Sequence, residues 1–250
     1  MNALFDSMLD LRSMLHRSLD PHTPIPPPVF DMPDLPKSFF LSPELHKYIL
    51  DHSDKVDAVQ QALIDETQSV PKSHMQISPE QGAFMTILTK ALGAKHAIEI
   101  GTYTGYSAIS IARGLPADGT LLCCDVNEEW TNIAKKHWAA AKVQDKIALV
   151  LAPAVDTLRA LPREETFDLA FIDADKASYL TYFELLLSRM KTNGVILVDN
   201  TLWAGRIISA MVTDADTLAL RRFNDIVAVD PRVDRVLLSI GDGLTMLRKR

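Results

Sequence analysis

Five short apolar runs, at 97–100, 120–125, 147–151, 168–172 and 195–198, alternate with four stretches of helical periodicity, at about 105–114, 128–142, 153–161 and 177–191. No other feature of the chain narrows its fold as much. A run that is apolar throughout reads as a strand buried on both faces, which is what a parallel sheet produces when its crossovers are helices. The expected fold class is therefore α/β, with a doubly wound sheet. After residue 198 the alternation breaks. A helix near 214–229 precedes two more apolar runs, 233–240 and 243–247, and Gly241, Asp242 and Gly243 supply a turn between them. The sheet is thus expected to be seven-stranded and mostly parallel, with an antiparallel C-terminal hairpin.

Three helices are expected ahead of the first strand. Ser42 followed by Pro43 is an N-cap with proline in the first turn, opening a helix to about Leu50; a second spans about 54–69, and a third starts at Ser78–Pro79 with Gln81 at the capping-box position. Further upstream, Leu4, Met8, Leu11 and Leu15 recur at helical spacing over 2–19. Between them, residues 21–36 hold seven of the fourteen prolines and favour an extended connector. The boundary falls at 42: residues 1–42 form an N-terminal helix with a Pro-rich extension, and 43–250 form one main domain. The balanced charge of the 2–19 helix suits docking on its own domain or a second subunit better than a membrane surface.

The chain has 250 residues, of which 47% are hydrophobic, enough for a full core, and its formal charge of −6 offers no basic footprint for nucleic acid. No run of 18 apolar residues suggests a membrane span, and Asp6, Asp10 and Arg12 interrupt any leader-like segment, so a cytoplasmic protein is expected. Cys123 and Cys124 are adjacent in an apolar run and read as small buried hydrophobes.

Chemistry collects where the strands end. The run 98–107, IEIGTYTGYS, closes a strand and opens a helix, with Gly101 and Gly105 admitting a ligand close to the backbone. Its G-x-x-x-G spacing after an acid differs from the G-x-G-x-x-G that cradles a pyrophosphate, so a ligand without phosphates is favoured over a nicotinamide dinucleotide. Asp125 ends the next strand, where an acid accepts hydrogen bonds from ribose hydroxyls or caps the helix that follows; the first role implies an adenosine ligand. Asp173 ends the fourth strand and Asp199–Asn200 the fifth. These three offer only oxygen donors, which suits Mg²⁺, Mn²⁺ or Ca²⁺, and a vicinal diol would complete the shell. Lys176, one turn past Asp173, is either a proton acceptor or an exposed lysine at a helix start. Trp203 either packs against an acceptor ring or braces its loop. Two other function classes compete: a nicotinamide-dependent oxidoreductase, and a cofactor-binding domain without turnover. The glycine spacing speaks against the first, the retained Asp173, Lys176, Asp199 and Asn200 against the second.

With these residues in place, the chain resembles the caffeoyl-CoA and catechol O-methyltransferase-like, cation-dependent family, especially its bacterial members, over about 43–250. The matching segments are MQISPEQG at 75–82, EIGTYTGYS at 99–107, FIDADK at 171–176, DNTLWAG at 199–205 and DGLTMLRKR at 242–250. The resemblance implies a class I methyltransferase fold, S-adenosylmethionine as cofactor, and a divalent cation on Asp173, Asp199 and Asn200. It further implies that Glu99 and Asp125 serve the cofactor's ribose, that Gly101, Thr102, Tyr103 and Ser107 serve its amino-acid and backbone side, and that Ala154 serves the adenine. Met75, Ile77, Asp173, Asp175 and Tyr182 would complete that pocket, with Asp173 and Lys176 catalytic. Ile77 departs from the threonine of plant members. A catechol or hydroxycinnamoyl-type small molecule is the implied acceptor, and a homodimer the implied assembly, with the chain ahead of the fold shaping the acceptor pocket and the dimer interface.

Overall fold

A computed structural model describes residues 41–250; the 2–19 helix and the Pro-rich connector fall outside the described residues. Helix α1 (Pro43–Asp51) starts as expected, with the Ser42 hydroxyl accepting the Leu45 amide at 3.2 Å. Helix α2 (Ala58–Gln68) starts later than the periodicity suggests, because Asp57 builds the cap: its carboxylate accepts the Val59 and Gln60 amides while the Gln60 side chain returns to the Asp57 amide. At α3 (Pro79–Leu92) the expected capping box does not form. The Ser78 side chain makes no cap bond, and Gln81 is buried against the later hairpin, its Oε1 lying 2.6 Å from where a Cβ on Gly241 would stand. A tertiary contact has claimed the side chain that the local motif needed.

The remaining elements are β1 (His96–Ile100), α4 (Tyr106–Gly114), β2 (Thr120–Asp125), α5 (Glu128–Ala140), β3 (Ile147–Leu151), α6 (Ala154–Ala160), β4 (Phe167–Ile172), α7 (Tyr179–Leu187), β5 (Met190–Val198), α8 (Ala215–Val229), β6 (Val233–Leu238) and β7 (Leu244–Lys249). The strands form a seven-stranded sheet in the order β3-β2-β1-β4-β5-β7-β6, with β7 antiparallel to both its neighbours and the others parallel. The doubly wound expectation and its antiparallel end hold. Strand β5 is longer than the apolar run 195–198, and α7 stops at Leu187, short of the expected 191. Residues 191–194, Lys-Thr-Asn-Gly, carry no apolar signal, and Asn193 at φ 68° with an irregular register against β4 makes this first half of the strand a bulge.

Successive side chains of a strand point to opposite faces, so each central strand feeds two cores. Ala97, Cys123, Leu169 and Phe171 pack with Leu63, Met85, Ile109 and Trp138 of α2–α5. Ile98, Ile100, Cys124, Ala170 and Ile172 pack with Leu158, Phe183, Leu186 and Phe223 of α6–α8. Both cysteines are buried and free, one on each face. Among the described residues no helix is long and apolar enough to cross a membrane.

Candidate active site

Strand register sets out the site before any side chain is considered. Cys124, Ile100, Ile172 and Val198 lie in one row across β2, β1, β4 and β5. The next residue on each strand is therefore Asp125, Gly101, Asp173 and Asp199, side by side on one rim. The backbone confirms the row: the Gly101 amide donates to the Cys124 carbonyl at 2.9 Å, that of Asp173 to Ile100 at 2.8 Å, and that of Asp199 to Ile172 at 3.0 Å. The chain leaves β1 toward β2 and β3 on one side and returns to β4 on the other, so the rim sits at the topological switch point where doubly wound sheets receive ligands.

Gly101 is required here twice over. Its φ is 89°, and a Cβ would stand 2.0 Å from the Asp173 carbonyl oxygen. Beyond it the turn is held by Asp125: Oδ2 accepts the Thr102 and Tyr103 amides at 2.9 and 2.8 Å, and Oδ1 accepts those of Val126 and Asn127 at 2.7 and 2.8 Å. The cap of α5 falls to Asn127, which accepts the Trp130 amide, so Asp125 is not the helix cap itself. Its carboxylate organises the glycine turn, and a ribose hydroxyl would share oxygens already serving amides. Gly105 opens α4 at φ 87°, where a Cβ would stand 2.6 Å from Trp138 and from Ala134 of α5. Tyr103, at φ 51°, donates its hydroxyl to the Pro71 carbonyl at 3.2 Å and meets Trp130 edge-on. That bond ties the turn to the segment before α3, where Met75 is half-buried and Ile77 is buried in the core.

Glu99 lies wholly buried under this turn, with the Cys123 thiol donating to its Oε2 at 3.4 Å. Burial pushes its carboxyl up to about 8, against the opposing pull of the Ser107, Cys123 and Thr102 side chains. Ser107 and Thr102 are themselves buried beside it.

On the other half of the rim the expected proton acceptor is not an exposed lysine. Lys176 is 9% exposed, and its Nζ donates to Asp173 Oδ1 at 3.1 Å and to the Tyr179 hydroxyl at 2.6 Å; Tyr179 in turn donates to the Asp199 carbonyl at 3.2 Å. One chain of polar contacts thus joins the ends of β4 and β5. Burial first, then the charges of Asp173 and Asp199, holds the Tyr179 hydroxyl well above its ordinary range, so it stays a neutral donor. The Trp203 ring centroid is 5.8 Å from Lys176 Nζ, which brings the indole into the same group. Asp175 accepts the Tyr182 hydroxyl at 2.5 Å, and Ala154 opens α6 two residues after the Ala152 amide donates to the Asp125 carbonyl at 3.0 Å. Among the described residues no three His, Cys, Asp or Glu side chains gather into a metal centre. A cation here would have to be held by two carboxylates and one amide, Asp173, Asp199 and Asn200, whose oxygens are the donor type a hard ion takes. Tyr179, which links both carboxylate-bearing strands, escapes sequence reading because an aromatic residue at a helix start looks like core.

The family model described as O-methyltransferase matches residues 50–250. The chain is 39% identical over 207 residues to the protein named "Probable caffeoyl-CoA O-methyltransferase 2" of Dictyostelium discoideum, covering 81% of this chain and 90% of that one. It is 38% identical over 227 residues to caffeoyl-CoA O-methyltransferase 1 of Zea mays, covering 85% and 87% respectively. Among solved structures, the O-methyltransferase from Bacillus cereus in complex with SAH superposes with a TM-score of 0.77 at 30% identity, over 83% of this chain and 97% of that one.

Proposed function

Because the chain belongs to the O-methyltransferase family, the class I S-adenosylmethionine-dependent enzymes that include the caffeoyl-CoA O-methyltransferases, we propose that it methylates one hydroxyl of a catechol-like small molecule, such as a hydroxycinnamoyl compound, with a divalent cation at the site. The observation that carries this reading is the rim itself, where the Gly101 turn meets Asp173, Lys176, Tyr179 and Asp199 at the switch point. The SAH complex of the Bacillus cereus relative supports S-adenosylmethionine as methyl donor.

In this reading the cofactor lies across the Gly101 turn, with Glu99, Thr102, Tyr103, Ser107, Asp125, Ala154, Asp175 and Tyr182 around it and Met75 and Ile77 beside it. A hard cation on Asp173, Asp199 and Asn200, most fittingly Mg²⁺ with Mn²⁺ or Ca²⁺ as substitutes, would lower the acceptor hydroxyl's pKa and hold its oxyanion. Lys176 is the group placed to take the hydroxyl proton, with its Nζ held by Tyr179 and Asp173. The acceptor oxygen then bonds to the methyl carbon as the carbon–sulfur bond breaks, leaving S-adenosylhomocysteine. Catalysis comes from positioning and electrostatics, with no covalent enzyme intermediate. Trp203, beside Lys176, packs on the acceptor ring. A cytoplasmic homodimer completes the reading.

The test is methyl transfer from S-adenosylmethionine to a panel of caffeate and simple catechols, with Mg²⁺ and again with EDTA. Turnover that EDTA abolishes, and that D173A loses while keeping most of its cofactor affinity, is the expected result. Metal-indifferent turnover would overturn the cation; cofactor binding without turnover on any catechol would favour a binding domain.

A further inference from the structure

The hairpin turn at 241–243 belongs to the motif that closes the sequence, yet methyl transfer as derived above gives it no task. Its surroundings do. The loop after β5 holds Asn200, Trp203, Ala204 and Gly205 at φ 60°, 48°, 48° and 75°. Three of these are non-glycine residues in the left-handed region, a conformation that persists only where the surroundings impose it. What imposes it is the hairpin. Asp242, 8% exposed, accepts the Ala204 amide on Oδ1 at 2.5 Å, and its carbonyl accepts the Leu202 amide at 3.0 Å. The Gly243 carbonyl accepts the Thr201 amide at 3.0 Å, and a Cβ on Gly243 would stand 2.5 Å from the Leu202 nitrogen. From α8, Asn224 Nδ2 donates to the Thr201 carbonyl at 2.8 Å, and Thr245 Oγ1 of β7 donates to Thr201 Oγ1 at 2.9 Å. These bonds grip 201, 202 and 204, the residues between and beside Asn200 and Trp203.

We propose that Asp242, assisted by Asn224, is a positioning residue of the acceptor half of the site, fixing Asn200 and Trp203 in place without touching the acceptor. The proposal rests on the methyltransferase reading for what those two residues do. Without the Asp242 carboxylate the Ala204 amide loses its buried acceptor, and the left-handed Trp203–Ala204 pair is released toward ordinary backbone, carrying the indole away from Lys176. The glycine turn on β1 is braced instead by Asp125 and shares none of these bonds. Loss of Asp242 therefore weakens acceptor and cation binding while sparing the cofactor.

The experiment compares full-length wild type, D242A, D242N and N224A by hydrogen exchange of the 199–206 peptide, Mn²⁺ titration, cofactor affinity and acceptor KM. D242A is expected to exchange at least tenfold faster, with about tenfold weaker Mn²⁺ affinity and about tenfold higher acceptor KM, while cofactor Kd stays within twofold. D242N, whose amide oxygen can accept the same bond, should return to near wild type, and N224A should move the same quantities in the same direction, less far. Unchanged exchange in D242A, or an equal loss of cofactor and acceptor affinity, overturns the proposal; should D242A not fold, unchanged exchange and KM in N224A does so. If wild type neither binds Mn²⁺ nor responds to EDTA, the cation reading fails by itself, and exchange and acceptor KM still decide on Asp242.

Discussion

At Gly101 two demands coincide, a left-handed φ and an approach to the Asp173 carbonyl that leaves no room for a methyl group. G101A is therefore expected to cost about 3 kcal/mol, read by urea unfolding, and to weaken cofactor binding. Glu99 makes a different prediction. Its folded-state carboxyl titrates at about 8 rather than the ordinary 4.5, so the folded state holds a proton that the unfolded state releases earlier. Its contribution is complete below about 4.5 and is lost as pH climbs toward 8. Wild-type stability should fall across that window, and E99Q should flatten the fall; parallel pH profiles of the two proteins would refute it. The residues of the rim were legible because each closes an apolar run: Gly101, Asp125, Asp173 and Asp199 all mark the place where the apolar side chains of a strand stop. Lys176 was legible in identity but not in state, since only the fold reveals that Tyr179 and Asp173 enclose it.

Among the elements, α2 has the most explicit local code. Asp57 caps it reciprocally with Gln60 and also pairs with Arg113 of α4. D57A should cost about 1 kcal/mol, measured as a shift in the unfolding midpoint with activity retained. The same kind of code misled at α3, where Ser78 and Gln81 spell a capping box that Gly241 pre-empts, and at β5, whose polar first half carries no strand signal. Periodicity reports what an element buries. It is silent about side chains borrowed by distant segments and about strand residues that pair at a bulge.

At the scale of the molecule, the order β3-β2-β1-β4-β5-β7-β6 brings the turn on β1 and the acids on β4 and β5 to one crevice, so a cofactor bound there links several elements. Saturating S-adenosylmethionine, at about a hundred times its Kd, should stabilise the fold by about 2.7 kcal/mol and raise the unfolding temperature by several degrees, with EDTA leaving that shift intact; a thermal shift assay decides it. The doubly wound pattern and its antiparallel end were legible because parallel strands are apolar throughout. The grip of the hairpin on the 200–205 loop was not, because no sequence period relates Asp242 to Ala204. That β7 slots between β5 and β6 although it follows both in the chain carries a consequence for biosynthesis. A ribosome delivers the Gly101 turn and the aspartate that braces it early, within one stretch of about 25 residues, whereas the loop that carries Trp203 has only Asn224 of α8 to hold it until residues 242–245 emerge. Until β7 arrives, β5 lacks its antiparallel partner, so this side of the rim is the last part of the sheet edge to be fixed.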